Sequence, residues 1–190
     1  MSKPLSEQTL EELWQLFPIR LVEPQTDWAI WYMEEEAFLK SILPDKINIW
    51  HVGSTSISGI WAKPTVDILM ESDMCEFERT KNLLLDNGYI CMSQGSNRLD
   101  FNKGYTPEGF ADRVFHLHLR EFGDNDELYF RDYLREHGEI AKAYEELKLS
   151  LWKPYEHNRD GYTDSKSTFV HEYTKKAKLK YANKYRIVNQ

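Results

Sequence analysis

The residues best placed to do chemistry lie between Trp50 and Glu71, in the stretch WHVGSTSISGIWAKPTVDILME. An apolar strand end (Ile47, Ile49, Val52) breaks into Gly53-Ser54-Thr55. A small-residue turn runs to Gly59, Lys63-Pro64 follows, and a second apolar strand carries one carboxylate, Asp67. A glycine-serine turn after a buried strand lets backbone N–H groups come close to an anion, and a neighbouring carboxylate can hold a cation against it. The chemistry outlined is that of phosphate and a divalent metal, with Gly53, Ser54 and Thr55 as the phosphate cradle and Asp67 as the metal ligand and catalytic candidate. Lys63 lies within reach of a phosphate, although Pro64 gives it a turn-shaping alternative.

Other titratable residues fall on faces that periodicity predicts to be inward. The strand over Val114–Arg120 alternates sharply, with Phe115, Leu117 and Leu119 on one side and His116 and His118 on the other. Two imidazoles at i and i+2 on a strand can share one ion, and with Asp67 they would make a His-His-carboxylate set for Zn, Mn or Fe. They can equally well hydrogen-bond neighbours on a polar sheet face or contact a phosphate or carbonyl. Glu35 sits in the apolar stripe Trp28, Trp31, Tyr32, Leu39, Ile42, where a carboxylate must be paired or face a cavity. Lys166 occupies the corresponding place on the last helix, as a phosphate partner or a snorkelling lysine. Arg98 and Lys103, near the two ends of another strand, complete the expected phosphate-neutralising set. Glu71 shares the face of Asp67 but lies about 13 Å away at roughly 3.3 Å per residue, too far to share an ion.

These residues need a frame. Leu10, Leu13, Trp14 and Phe17 predict a short first helix ending before Pro18. A strand is expected at Ile19–Val22, then the long helix of Glu35, strands at Ile47–Val52 and Thr65–Met70, and a helix over 73–87 closed by Asn87-Gly88. Strands at Tyr89–Met92 and Arg98–Lys103, a loop from Gly104 to Gly109, and the histidine strand follow. From Asp126 onward the pattern is helical, broken at Gly138 and at a loop from Lys153 to Gly161.

At 190 residues one domain is expected. The formal charge of −7 argues against a general nucleic-acid or anionic-membrane binder, since affinity for polyphosphate surfaces comes from positive charge. Lys175, Lys176, Lys178, Lys180, Lys184 and Arg186 make the C-terminal end locally basic, read as a solvated helix face. The two cysteines, Cys75 and Cys91, have no metal or redox spacing, and no run reaches the length of a membrane span. A soluble cytoplasmic protein with free thiols is expected; its oligomeric state is not legible.

The pattern Val52-Gly53-Ser54 with Asp67 downstream, twelve residues after Ser54, resembles the nucleotidyltransferase signature. Leu69 stands where that superfamily places a second acid, which removes the usual basis for two-metal catalysis. The wider wording is more specific. HVGSTSISGIWAKPTVDILM, then NGY, Arg98-x-x-Phe101-x-Lys103, FHLHL, FRDYLREHGEIAKAYEELK and GYTDSKSTFV, preceded by Trp28, Tyr32, Glu35 and Leu39, resemble the GrpB family over roughly residues 19 to 177. The resemblance implies an α/β (α+β) fold, with a nucleotidyltransferase-like mixed sheet flanked by helices and a C-terminal helical layer. It leaves 1–18 as a helical extension and 178–190 as a basic tail. The ligand it implies is a nucleotide or related phosphorylated small molecule with Mg or Mn, Zn being an alternative. Three readings stand: a nucleotidyltransferase-like binder of such a ligand, a non-catalytic module that lacks the second acid, and a mononuclear metal hydrolase built on His116 and His118.

Overall fold

The computed structural model describes residues 3–182, 184 and 185. Its helices are α1 (Leu10–Leu16), α2 (Asp27–Ile42), α3 (Phe77–Asp86), α4 (Asp126–Glu136), α5 (Gly138–Trp152) and α6 (Arg159–Tyr181). The strands are β1 (Asn48–Val52), β2 (Val66–Ser72), β3 (Ile90–Gln94), β4 (Arg98–Thr106) and β5 (Gly109–Glu121). They form one mixed sheet in the order β1-β2-β5-β4-β3, in which β2 and β5 are parallel and every other pair is antiparallel. This is the mixed α/β arrangement expected from the sequence.

The sheet separates two environments, because alternate residues of each strand face opposite sides. One side carries Ile68, Met70, Phe115, Leu117, Leu119, Leu99 and Phe101, and packs on Trp28 and Leu39 of α2 and Leu84 of α3. At about 25 cal/mol per Å² of apolar surface removed from water, burial of this layer stabilises the fold. The opposite side carries Asp67, His116, His118, Asp100 and Asn102. There α4, α5 and α6 cover only part of the sheet, through Ile57, Ile60, Leu134, Ala141 and Tyr144 and through Val52, Leu69 and Leu128.

Three expectations about elements need correction. Ile19–Val22 forms no sheet strand and contributes only the bridge Val22–Ala62; Phe17, Ile19 and Leu21 are nevertheless buried. The expected loop from Gly104 to Gly109 is a tight hairpin, with β4 running to Thr106 and β5 starting at Gly109. The expected loop from Lys153 to Gly161 is shorter, since α6 begins at Arg159, with the Asn158 side chain accepting from the Gly161 N–H. Gly104 accounts for a further irregularity. With φ +90° and Arg113 O only 2.2 Å from where a Cβ would stand, it holds a bulge at which the β4–β5 register slips.

Part of the basic face of α6, together with Lys184 just beyond it, is paired with α4. Lys178 meets Asp126, Lys180 meets Glu136 at 2.9 Å and Lys184 meets Asp132 at 2.7 Å. Arg186 lies outside the described residues. Both cysteines are free. Among the described residues, no helix is long and apolar enough to cross a membrane.

Candidate functional site

A cleft of about 500 Å³ opens between the polar sheet face and α4–α6, a volume suited to a small ligand. Its floor is set by strand register. The parallel pairing of β2 with β5 places Asp67 beside His116 and Leu69 beside His118, and β4 lays Asp100 opposite His118. Gly53 ends β1 with φ +68° and ψ −175°, a conformation essentially reserved for glycine. A Cβ there would lie 2.1 Å from Oδ2 of Asp67, so the carboxylate packs directly against the turn.

The floor groups form a connected network. His116 is buried and faces Asp67 Oδ1 through Nδ1 at 3.2 Å. Its Nε2 meets the Tyr105 hydroxyl at 2.9 Å and an Arg159 guanidinium N at 3.2 Å. Burial, opposed by Asp67, lowers the His116 pKa to about 4, so the ring is neutral at pH 7. A neutral ring fits these partners as the Nδ1–H tautomer, donating to Asp67 and accepting from Arg159 and Tyr105. His118 behaves oppositely. Burial disfavours its charge, but Nδ1 lies 2.8 Å from Asp100, Nε2 lies 3.9 Å from Asp67, and these carboxylates raise its pKa to about 9. Burial works against an ionised Asp67 as well, yet the two histidines hold its carboxyl well below the usual range.

The walls carry several cationic groups, with Asp126 and Glu127 also at the lining. Lys63, Lys148, Arg159 and Lys166 all line the cleft. Lys148, 2% exposed, donates to Trp61 O. The Arg159 bonds within the network run to Tyr105 and the neutral His116, neither of which carries negative charge. Lys166 Nζ lies 4.1 Å from the Tyr162 ring centre. Among the described residues neither the Lys63 nor the Lys166 ammonium has a hydrogen-bonding or ion-pair acceptor. Burial and the neighbouring cations lower the pKa of Lys63 to about 7. Lys148 is likewise lowered to about 7 by burial and Lys166, and Lys166 to about 8, chiefly by burial. Mutually repelling, under-solvated cations around one space would be stabilised by an anion between them.

Of the residues singled out from the sequence, Gly53, Ser54, Thr55, Lys63, Asp67, Arg98, His116, His118 and Lys166 line this cleft. Within it Thr55 Oγ1 is bonded to His51 Nε2 at 3.0 Å, and Arg98 is tied to Asp124 at 2.6 Å. Glu35 and Lys103 are elsewhere. They form an ion pair of 2.7 Å on the opposite, apolar side of the sheet, joined by the Tyr89 hydroxyl and by the rings of Phe38 and Tyr89 around the ammonium. The reason is parity. Lys103 is five residues from Arg98, so the two point to opposite faces. Glu71 is structural, accepting from Trp50 Nε1, the Gly123 N–H and Asn125 Nδ2.

Sequence reasoning missed Asp100, Tyr105, Lys148 and Arg159. Alternation along β4 carries a signal for Asp100. Nothing local signals the others: Tyr105 reaches the cleft face through the slip at Gly104, and Lys148 and Arg159 come from helices distant in sequence. Leu69 is fully buried among Val52 and Leu128, so α4 covers the position where a second acid would stand.

Among the described residues, no three His, Cys, Asp and Glu side chains are arranged to hold a metal ion. The ring nitrogens of His116 are both engaged, and His118 Nδ1 is held by Asp100. A His-His-carboxylate centre therefore does not fit. Asp67 Oδ2 accepts no hydrogen bond among the described residues, and one carboxylate oxygen fits a Mg²⁺ whose remaining ligands are phosphate oxygens and water.

The fold and cleft thus define an α/β protein with a glycine turn, the Asp67 carboxylate packed against it and a cluster of cationic side chains facing one side of the sheet. The chain belongs to the GrpB family: the family model described as GrpB protein matches residues 18–176. It is 33% identical over 160 residues to the Glutamate-rich protein GrpB of Alkalihalophilus pseudofirmus, covering 80% of this chain and 91% of that one. To the UPF0157 protein YqkA of Bacillus subtilis it is 34% identical over 169 residues, covering 85% of this chain and 48% of the relative, so it spans about half that protein's length. The crystal structure of conserved protein GrpB from Enterococcus faecalis superposes with a TM-score of 0.75 at 30% identity, over 86% of this chain and 99% of that one.

Proposed function

We propose that this protein binds a phosphorylated small molecule, a nucleotide first among the candidates, with its phosphates in the cleft between Gly53, Asp67 and the lysines. The observation that carries the reading is the pair Lys63 and Lys166, two ammonium groups that face one cleft with no hydrogen-bonding or ion-pair acceptor among the described residues and with the Asp67 charge acting on both, beside Arg159 and Lys148. Bringing an anion there relieves their mutual repulsion and supplies the missing acceptors. Gly53 supports it, because the absence of a side chain keeps Asp67 against the turn.

Each residue has a defined part. Lys63, Lys166 and Arg159 neutralise phosphate charge and fix its position. His116 orients Asp67 through Nδ1, and the charged His118 keeps that carboxylate ionised. A Mg²⁺ carried in by the ligand would be held by Asp67 and would neutralise further phosphate charge.

A second reading, binding without turnover, is favoured by Leu69: its buried place under Leu128 leaves no site for a second metal-binding acid. Calorimetric titration with MgATP tests the first reading. Lys166→Gln is expected to weaken binding by at least tenfold, and Asp67→Asn to abolish its dependence on Mg²⁺. Unchanged binding in both variants sinks the assignment. Incubation with labelled nucleoside triphosphates and Mg²⁺ or Mn²⁺ separates the two readings, since a module binds without releasing product.

A further inference from the structure

A second cavity of about 270 Å³ adjoins the cleft and has Lys63, Thr65 and Arg159 as common walls. Its other character is aromatic. Phe17, Tyr105 and Phe110 line it, with ring centres 4.6 Å apart for Phe17–Tyr105, 5.0 Å for Phe17–Phe110 and 5.2 Å for Tyr105–Phe110. Phe17 is buried, but Phe110 stands at the β4–β5 hairpin with 44% of its surface exposed.

The aromatic rings that line the main cleft are engaged with other groups, Phe130 meeting Tyr144 edge-on with ring centres 5.2 Å apart. Tyr144 is buried between Phe130 and Phe169, and the face of Tyr162 is taken by the Lys166 ammonium. The volume matters too. A cavity of this size is below the range that encloses a whole small-molecule ligand, so it suits one ring system of a larger molecule. The common walls identify which molecule, because Lys63 and Arg159 also face the phosphate-binding space.

Resting on the phosphate-binding reading above, we infer that the Phe17–Tyr105–Phe110 cavity holds the planar ring of the same ligand, which makes that ligand a nucleotide and not a simple sugar or alkyl phosphate. The phosphates lie on the Asp67 side of Lys63 and Arg159, and the base lies on the Phe110 side. A flat ring stacks on an exposed aromatic face whatever its edge pattern, so base class is only weakly selected.

The test compares MgATP with magnesium triphosphate by calorimetry on the full chain. ATP is expected to bind at least about tenfold more tightly than triphosphate, the stacking contribution of one base. Phe110→Ala is expected to remove most of that difference while leaving triphosphate affinity within about twofold. Phe110→Trp, which keeps a stacking face, is expected to preserve the preference, and so separates lost stacking from a disturbed hairpin. Equal affinity of the wild type for ATP and triphosphate overturns this inference and leaves the phosphate reading standing. An equal loss for both ligands in Phe110→Ala overturns it as well. If neither ligand binds the wild-type chain, both readings fall.

Discussion

Gly53→Ala strains the turn in two ways that can be measured separately. The first is conformational: φ +68° with ψ −175° is a region that L side chains avoid, at a cost of about 1–3 kcal/mol. The second is contact. The new Cβ would lie 2.1 Å from Oδ2, 2.8 Å from Cγ and 2.9 Å from Cβ of Asp67, so the whole side chain must move. Moving it breaks the 3.2 Å hydrogen bond from His116 and weakens the contact with His118, and a hydrogen bond to a charged group contributes about 1.5–3 kcal/mol. The sum, roughly 2.5–6 kcal/mol, is large against the 5–15 kcal/mol stability of an ordinary domain. Urea unfolding followed by tryptophan fluorescence reads the loss as a lower midpoint at unchanged slope. Repeating the substitution in an Asp67→Ala background removes the clashes with Oδ2 and Cγ, and leaves the conformational cost and the 2.9 Å contact with Cβ. A coupling of about 2 kcal/mol or more is expected. A coupling within about 0.5 kcal/mol of zero would refute the claim that the turn and the carboxylate are built against one another.

Three further expectations follow from the same structure. Glu35→Ala, which leaves Tyr89 and Lys103 without their buried acceptor, should cost about 3–5 kcal/mol in urea unfolding without altering ATP affinity; a selective loss of affinity would return Glu35 to the site. Because Lys63 and Lys148 are held near pKa 7 and Lys166 near 8, an incoming anion should draw protons onto them. Calorimetry in buffers of different ionisation enthalpy should then show proton uptake at pH 8 that shrinks by pH 6, and its absence at pH 8 would count against a lysine-bound phosphate. His118 has a folded pKa of about 9 against about 6.5 unfolded, so the stability it contributes is complete below pH 6.5 and is lost as pH rises through 9. Asp100→Asn should lower the His118 pKa, read by NMR titration, and flatten that pH dependence; an unmoved imidazole would show that Asp100 is not its partner.

Much of this protein is local in origin. Alternation in Phe115-His116-Leu117-His118 and around Asp67 assigns polar and apolar faces to two strands, since a pleated chain has a period of two. The spacing of apolar residues predicts most helices, and the wording from Gly53 to Val170 points to the family. That a leucine stands two residues after Asp67 is equally plain in the sequence, although its burial under α4 is not. Parity along β4 holds a further message, since it already separates Arg98 from Lys103 and puts Asp100 with Arg98.

What tertiary structure alone decided is which faces meet. The parallel register of β2 on β5 sets His116 beside Asp67, and the slip at Gly104 turns Tyr105 from the apolar side to that of His116. Lys148 and Arg159 reach the cleft only because α5 and α6 fold back over the sheet, across more than 80 residues from Asp67. Side-chain periodicity is a property of the local backbone. Convergence of charge depends on long-range packing, and no short stretch of sequence encodes it.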